Sequence, residues 1–346
     1  MRDYRRLGLA AVITACIFWG GSFYFGKIAL RELTAMEVVW WRFILATTVL
    51  APVLAMVAHR RRARSAALPG RIPNPPRYRD FSLFLLNALL MVPVQFVLQF
   101  EGLARTSASS ASLLVGVFAP LMALGGVLVA RERLSLSGWM AIFVSSVGVG
   151  VMVGLPGEGR TLLGDLMVVG SLVCAVGMVL VTQRLLRRYD ALSVTVWSMG
   201  MGVVLLLPWI YFVQGWPSAS GGIWTWSALF GLGFGCTAVA FTLWNWGLHY
   251  VPASHAGVFV NLEPLIGTVL GVVLLHDALT GGLVVGGSLI LAGAMIITWP
   301  RSSQQARPGV PGHGPRGGYR GRTRHQGPPP RTAEAVHERE PVPDPN

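Results

Sequence analysis

Ten apolar segments, each of about the length that crosses a lipid bilayer, occupy most of the sequence between residues 8 and 299. A helix needs about 20 mainly apolar residues to cross the hydrocarbon core. Because lipid offers the backbone no hydrogen-bonding partner, we expect these segments to be helical. The sequence therefore predicts an all-α polytopic membrane protein with ten transmembrane helices. They are predicted at residues 8–30, 35–57, 83–103, 107–130, 137–154, 163–185, 191–213, 226–248, 253–275 and 280–299.

The composition excludes an ordinary soluble domain, since 53% of the residues are hydrophobic and only 12% are charged. Soluble domains have about 25% charged residues. Residues 301–346 differ from the rest because they are rich in Gly, Pro and Arg. Such a segment cannot bury enough apolar surface to fold, so we predict a disordered cytoplasmic tail. The three cysteines lie far apart without metal-ligand spacing, and we predict neither a disulfide, a metal nor a cofactor.

The distribution of Lys and Arg predicts the orientation of the chain. With the amino terminus inside and the tail excluded, fifteen Lys and Arg residues fall in inner segments and three in outer ones. Basic residues collect on the cytoplasmic side of membrane proteins. We therefore expect a multi-pass protein of a bacterial inner (plasma) membrane with both termini in the cytoplasm. The net charge of +13 reflects this bias, and we predict no nucleic-acid partner.

The chain contains an internal repeat. Residues 101–139 and 246–282 share, in the same order, Gly-Leu, Ala-Ser, Pro-Leu, an acidic residue and then Leu-Ser or Leu-Thr. Each half holds five predicted helices, and an odd number turns the second half upside down relative to the first. We predict two five-helix repeats, residues 1–154 and 155–300, followed by the tail.

Short motifs in this order resemble the EamA family of the drug/metabolite transporter superfamily over residues 8–299. The resemblance implies ten helices, cytoplasmic termini and export or exchange of amino acids, metabolites or drugs. It also implies a central cavity lined by helices one, three, four, six, eight and nine. His276-Asp277 stands where the family usually has Gly-Glu. The matching residues are Trp19-Gly20, Lys27, Arg42-Phe43, Thr106 to Ser109, Pro120, Glu132 to Leu134, Pro252 to Ser254 and Asn261 to Pro264.

Glu263 is the strongest candidate for a substrate or proton site. It lies near the midpoint of predicted helix nine, where an acidic side chain costs roughly 2.5 to 3.5 kcal/mol to insert. A carboxyl that faces a cavity there could exchange a proton for a cationic substrate group. The alternative is a protonated or hydrogen-bonded carboxyl that only ties helices together.

Two basic residues inside the predicted spans are further candidates. Lys27, the only lysine, could hold a substrate carboxylate, pair with Glu37 or Glu101, or extend to the outer headgroups. Arg42 lies deeper and is flanked by tryptophans, which favours an ion pair or an anion site.

Other polar and aromatic residues could line the same pathway, although interhelical hydrogen bonds would also explain the polar ones. Pro120 and Pro264 are predicted to kink their helices because proline lacks a backbone donor. Glycine pairs four residues apart, including Gly150/Gly154 and Gly267/Gly271, predict close helix contacts. The remaining pathway candidates are Asn261, Gln95, Gln99, Asn245 and Trp19.

The sequence favours a transporter over an enzyme. It lacks a Walker A loop, an HExxH pair, a GxSxG elbow and a DxxD pair. We predict a secondary transporter that moves a small-molecule substrate through the bilayer by alternating access. A membrane enzyme or lipid-handling protein, and a non-transporting scaffold or sensor, are the alternatives. Whether the chain forms a homodimer is left open.

Overall fold

The computed structural model describes residues 2–64, 75–130, 135–154, 161–247, 250 and 259–298. Apart from short turns and one single-turn 3-10 helix, the secondary structure of this part of the chain is helical, which confirms the all-α prediction. The predicted tail, residues 301–346, lies outside the described residues. The helices are α1 (Arg2–Ala29), α2 (Ala35–Arg64), α3 (Phe81–Leu89), α4 (Val97–Arg105), α5 (Ala108–Val115), α6 (Phe118–Ala130), α7 (Leu136–Gly154), α8 (Leu162–Leu186), α9 (Ala191–Gln214), α10 (Ile223–Phe230), α11 (Ala240–Gly247), α12 (Leu262–Leu274) and α13 (Gly281–Thr298).

Seven helical stretches in the described residues are long and apolar enough to cross a membrane. Three further apolar helices, at Leu136–Met152, Leu262–Leu274 and Gly281–Ile296, are shorter. All ten coincide with predicted spans, so the chain is a polytopic helical membrane protein. The count of ten crossings stays a prediction, since it depends on the three shorter helices.

Two of the predicted spans contain a π-helical stretch. The first π segment, Leu90–Phe96, joins α3 to α4 and contains Pro93. The second π segment, Gly231–Val239, joins α10 to α11. A π stretch widens the helix locally and is found frequently at functional sites. The two segments occupy the third and the eighth predicted span, which are corresponding helices of the proposed repeat.

Two other spans are interrupted. The predicted helix at 107–130 is divided between α5 and α6, and Pro120 lies in the first turn of α6. Helix α12 begins after a turn at Asn261, and Pro264 lies in its first turn. A proline is tolerated in the first turn of a helix because the backbone N–H groups of that turn have no acceptor within the helix. The missing N–H of proline therefore costs no helical hydrogen bond there. Each proline therefore follows a helix break three or four residues earlier, instead of bending a continuous helix.

Glycines allow some of these helices to pack closely. A Cβ atom built on Gly148 of α7 would lie 2.7 Å from the carbonyl oxygen of Gly286 on α13. Gly267 and Gly271 of α12 face the serines of α5. The prediction for Gly150 and Gly154 is wrong, because nothing lies within 4 Å of either Cβ position among the described residues. Spacing shows which glycines share a helix face, but it does not show whether that face meets another helix.

Polar contacts hold the connecting segments together at each end of the helix bundle. At the Glu32 end, the backbone N–H of Gly222 and the hydroxyl of Thr225 donate to Glu32, at 2.6 and 2.7 Å. At the opposite end, the hydroxyl of Tyr189 donates to Asp80 over 3.0 Å, and Arg188 forms an ion pair with the same carboxylate. We call this second end the Asp80 end.

Candidate functional site

Arg42 is the most deeply buried charged residue among the predicted candidates. It lies on α2, and only 3% of its surface is exposed. Its Nε donates a hydrogen bond of 2.9 Å to the hydroxyl of Thr237. Its guanidinium carbon lies 4.7 Å from the ring centre of Phe96 and 5.7 Å from that of Phe100. Because a guanidinium is attracted to aromatic faces, these rings replace part of the hydration that the charge loses on burial.

The partners of Arg42 come from both π segments. Phe96 ends the first π segment, and Thr237 belongs to the second. The Thr237 hydroxyl donates in turn to the carbonyl oxygen of Leu232, five residues earlier, over 2.8 Å. The irregular backbone of the two segments thus places an aromatic ring and a hydroxyl on either side of one cation.

Glu263 lies at the helix break of the ninth predicted span. It is half-buried and belongs to the first turn of α12, where the positive end of the helix dipole favours a carboxylate. Helix α1 passes very close, since a Cβ atom on Gly20 would lie 2.8 Å from the Glu263 carbonyl oxygen. Glu263 interacts electrostatically with Arg42. The acid and the deep arginine, which the sequence selected separately, therefore lie within electrostatic range of each other without a direct hydrogen bond or ion pair.

Trp19 and Asn261 lie near the contact between Gly20 and Glu263. Trp19 precedes Gly20 on α1, and its ring packs against Phe241 and Trp244 at centroid distances of 5.5 and 5.2 Å. Asn261 is buried and immediately precedes α12. These two candidates are thus close to Glu263 in the fold or in the chain. Cys16 and Cys236 are also buried in this part of the chain.

Lys27 belongs to a different group of residues, at the Glu32 end. Asp277, which the sequence did not select as a candidate, lies within electrostatic range of the Lys27 ammonium without a direct ion pair. The two predicted acids have other partners. Glu37 accepts hydrogen bonds from the backbone N–H groups of Thr34 and Ser218, and Glu101 pairs with Arg105 four residues later.

Asp277 links α12 to the start of α5. Its carboxylate accepts a hydrogen bond of 2.8 Å from the backbone N–H of Ser109, in the first turn of α5. His276 has a φ of 58°, a left-handed conformation that glycine adopts with the least strain. This turn lets the N–H of Asp277 reach the carbonyl oxygen of Gly271, at 3.1 Å. The left-handed conformation at His276 therefore explains why a glycine would be favoured at this position, as the resemblance to the family implied.

The remaining polar candidates, Gln95, Gln99 and Asn245, lie on two different predicted spans. Gln95 lies in the first π segment, is only 6% exposed, and donates to the side chain of Gln99 over 3.3 Å. Asn245 lies on α11, but its side chain is outside the described residues. No described contact connects the two glutamines to Glu263, so their place in a pathway stays a prediction.

The arrangement combines a buried guanidinium, held between two π segments, with an acid at the helix break before α12. Among the residues that the structure describes, no group of three His, Cys, Asp or Glu side chains could hold a metal ion. These features define a polytopic membrane protein with a buried arginine and a half-buried acid within electrostatic range of it.

The comparison with protein families gives the class a name: the chain belongs to the EamA-like transporter family, which matches residues 6–154 and 162–299. An uncharacterized transporter of Archaeoglobus fulgidus is 27% identical over 288 residues, covering 82% of this chain and 94% of the relative. An uncharacterized transporter of Methanothermobacter thermautotrophicus is 26% identical over 310 residues, covering 85% and 87% of the two chains. The protein is therefore a transporter.

A solved structure supports the fold independently. It covers 86% of this chain and 96% of its own length, with a TM-score of 0.55 and 16% sequence identity. At that identity the similarity concerns the fold alone.

Proposed function

We propose that this transporter is a secondary carrier that exports or exchanges small metabolites, amino acids or drugs by alternating access. The two halves, residues 1–154 and 155–300, would be inverted repeats that rock about the Arg42–Glu263 pair. Two observations support this arrangement: the family matches each half separately, and the π segments occur in corresponding helices.

The observation that carries the proposal is the position of Arg42. A permanent positive charge is enclosed between the two π segments and interacts with a carboxylate on a third element. A buried charge inside a membrane domain is costly, and such residues often mark substrate or ion pathways.

The chemistry follows from the two charge states of Glu263. While Glu263 is ionised, it compensates the guanidinium of Arg42. Protonation of Glu263 removes that compensation and leaves the arginine able to attract an anionic substrate group. A cationic substrate group can instead replace the proton on the Glu263 side. Proton and substrate binding are thereby coupled through one pair of residues, which is what a proton-driven carrier needs.

The proposed setting is the inner membrane of a bacterium, with the Asp80 end and both termini in the cytoplasm. The basic residues near that end support this orientation. A metabolite that accumulates differently in cells with and without the protein would identify a substrate for reconstitution.

The test replaces Glu263 by Gln in proteoliposomes loaded with that substrate. Glu263→Gln keeps the shape of the side chain but cannot change charge, so we expect flux driven by a pH gradient to fall to that of empty liposomes. Glu101→Gln is the matched control, because Glu101 pairs locally with Arg105. Near-normal flux in Glu263→Gln would remove Glu263 from the mechanism, whereas equal loss in both variants would point to misfolding.

A further inference from the structure

An apolar groove lies away from the Arg42–Glu263 pair, between α2, α3 and α9. Its volume is about 830 Å³, and it is open on one side. It runs along the half of these helices that is nearer to the Asp80 end, because it includes the first turns of α3 and α9. Its lining contains almost no polar surface. Residues that shape it include Ala51, Ala55, Ala58, Phe81, Trp197 and Gly200.

Small side chains create the groove. Ala51, Ala55 and Ala58 are four and three residues apart, so they lie on one face of α2. Gly200 of α9 lies opposite, where a Cβ atom would be 3.6 Å from the methyl group of Thr47. From Thr47 to Ala58 the helix rises about 16 Å. That is roughly half of the 30 Å hydrocarbon core, which is the depth of one leaflet.

The open end of the groove has a basic rim. Arg77 and Arg79 follow the groove-lining Pro75 and Pro76 in the chain. Both arginines are exposed.

Asp80, which follows Arg79 in the chain, does not neutralise this rim, because it is buried and forms an ion pair with Arg188. Asp190 keeps its charge and accepts hydrogen bonds from the backbone and hydroxyl of Ser193 at the start of α9.

We propose that this groove binds one anionic glycerophospholipid of the leaflet at the Asp80 end. An acyl chain would occupy the apolar groove, and the phosphate and acidic headgroup would lie against Arg77 and Arg79. The length of one leaflet, the apolar lining and the basic rim all match that ligand. A zwitterionic lipid with the same chains would gain less, because its headgroup carries no net charge.

The experiment measures retention of added lipid by the full-length protein in detergent, using native mass spectrometry. The probes are phosphatidylglycerol and phosphatidylcholine with identical acyl chains. Gly200→Leu fills the groove, and Ala55→Leu is a second filling variant if the first does not fold. Gly150→Leu is the matched control, because the space around Gly150 is open. Arg77→Gln with Arg79→Gln tests the rim, and Arg31→Gln, at the other end, is its control.

We expect the wild type to retain phosphatidylglycerol in preference to phosphatidylcholine. Loss of both rim arginines should weaken phosphatidylglycerol binding about 25-fold, at roughly fivefold for each charge. The filling variants should lose the retained lipid, while both controls behave as the wild type. Equal retention of the two lipids, or unchanged binding in the filling variants, would overturn the proposal. Loss in the filling variants without loss in the rim variant would indicate an uncharged apolar ligand and would also overturn it.

Discussion

Glu32 connects the loop after α1 to the start of α10. The hydroxyl of Thr225 and the backbone N–H of Gly222 hydrogen-bond to its carboxylate and hold the pKa of Glu32 below its ordinary value of 4.5. The bonds favour the ionised form, so their stabilising effect is complete above the ordinary pKa. It is lost as the pH falls through the lowered pKa of the folded state.

Glu32→Gln should therefore lower the thermal stability of the protein at pH 7 by a small amount, because the carboxylate is exposed. The difference from the wild type should shrink as the pH falls below 4.5. Melting temperatures in detergent across this pH range measure it. A difference that does not depend on pH would show that the charge of Glu32 is not the cause.

At the residue scale, the sequence could predict which side chains are unusual but not which of them meet. Glu263 and Arg42 stand out because a charged side chain inside an apolar span is costly to insert into the membrane. Their proximity depends on how several helices pack together, and no local pattern encodes that packing. Lys27 shows the consequence, since the predicted acids Glu37 and Glu101 have other partners and the acid within electrostatic range of Lys27 is Asp277.

At the scale of elements, the crossing of α1 and α12 depends on Gly20. A Cβ atom at this position would lie 2.8 Å from the Glu263 carbonyl oxygen and 2.8 Å from Cβ of Ile266. Because the first of these is backbone, the helices must separate to admit a side chain. Forcing extra atoms into a well-packed interior costs about 1–3 kcal/mol.

Gly20→Ala should accordingly lower the thermal stability, although alanine is the better helix former. Gly150→Ala, with open space around it, should leave the stability unchanged or raise it. Thermal unfolding of the two variants in the same detergent tests this difference in sign. Equal behaviour of the two would contradict the close contact between α1 and α12.

The elements themselves were largely predictable, because length and hydropathy alone identify membrane spans. The π segments inside these spans were not predictable. Pro93 lies in the first π segment, but the second contains no proline and has no comparable signal. Helix α2 also extends to Arg64, well beyond the predicted end at residue 57, because alanine and arginine favour a helix outside the apolar core as well.

At the scale of the whole molecule, transport should depend on residues up to about 301. The remaining segment is rich in Gly, Pro and Arg and has no apolar surface with which to enter the membrane domain. Deletion of residues 302–346 should therefore leave the flux in proteoliposomes unchanged per molecule of protein. A truncated chain that inserts normally but does not transport would show that this segment takes part.

The central claim is that two five-helix units lie in the membrane in opposite orientations, which requires an even number of crossings. Single cysteines at the two termini, at Arg79 and at Ala219, in a background without the native cysteines, can be labelled in intact cells with a membrane-impermeant maleimide. We expect labelling of Ala219→Cys in intact cells, and labelling of the two termini and of Arg79→Cys only after the cells are opened. Labelling of one terminus but not the other in intact cells would place the ends of the chain on opposite sides of the bilayer and would contradict the account.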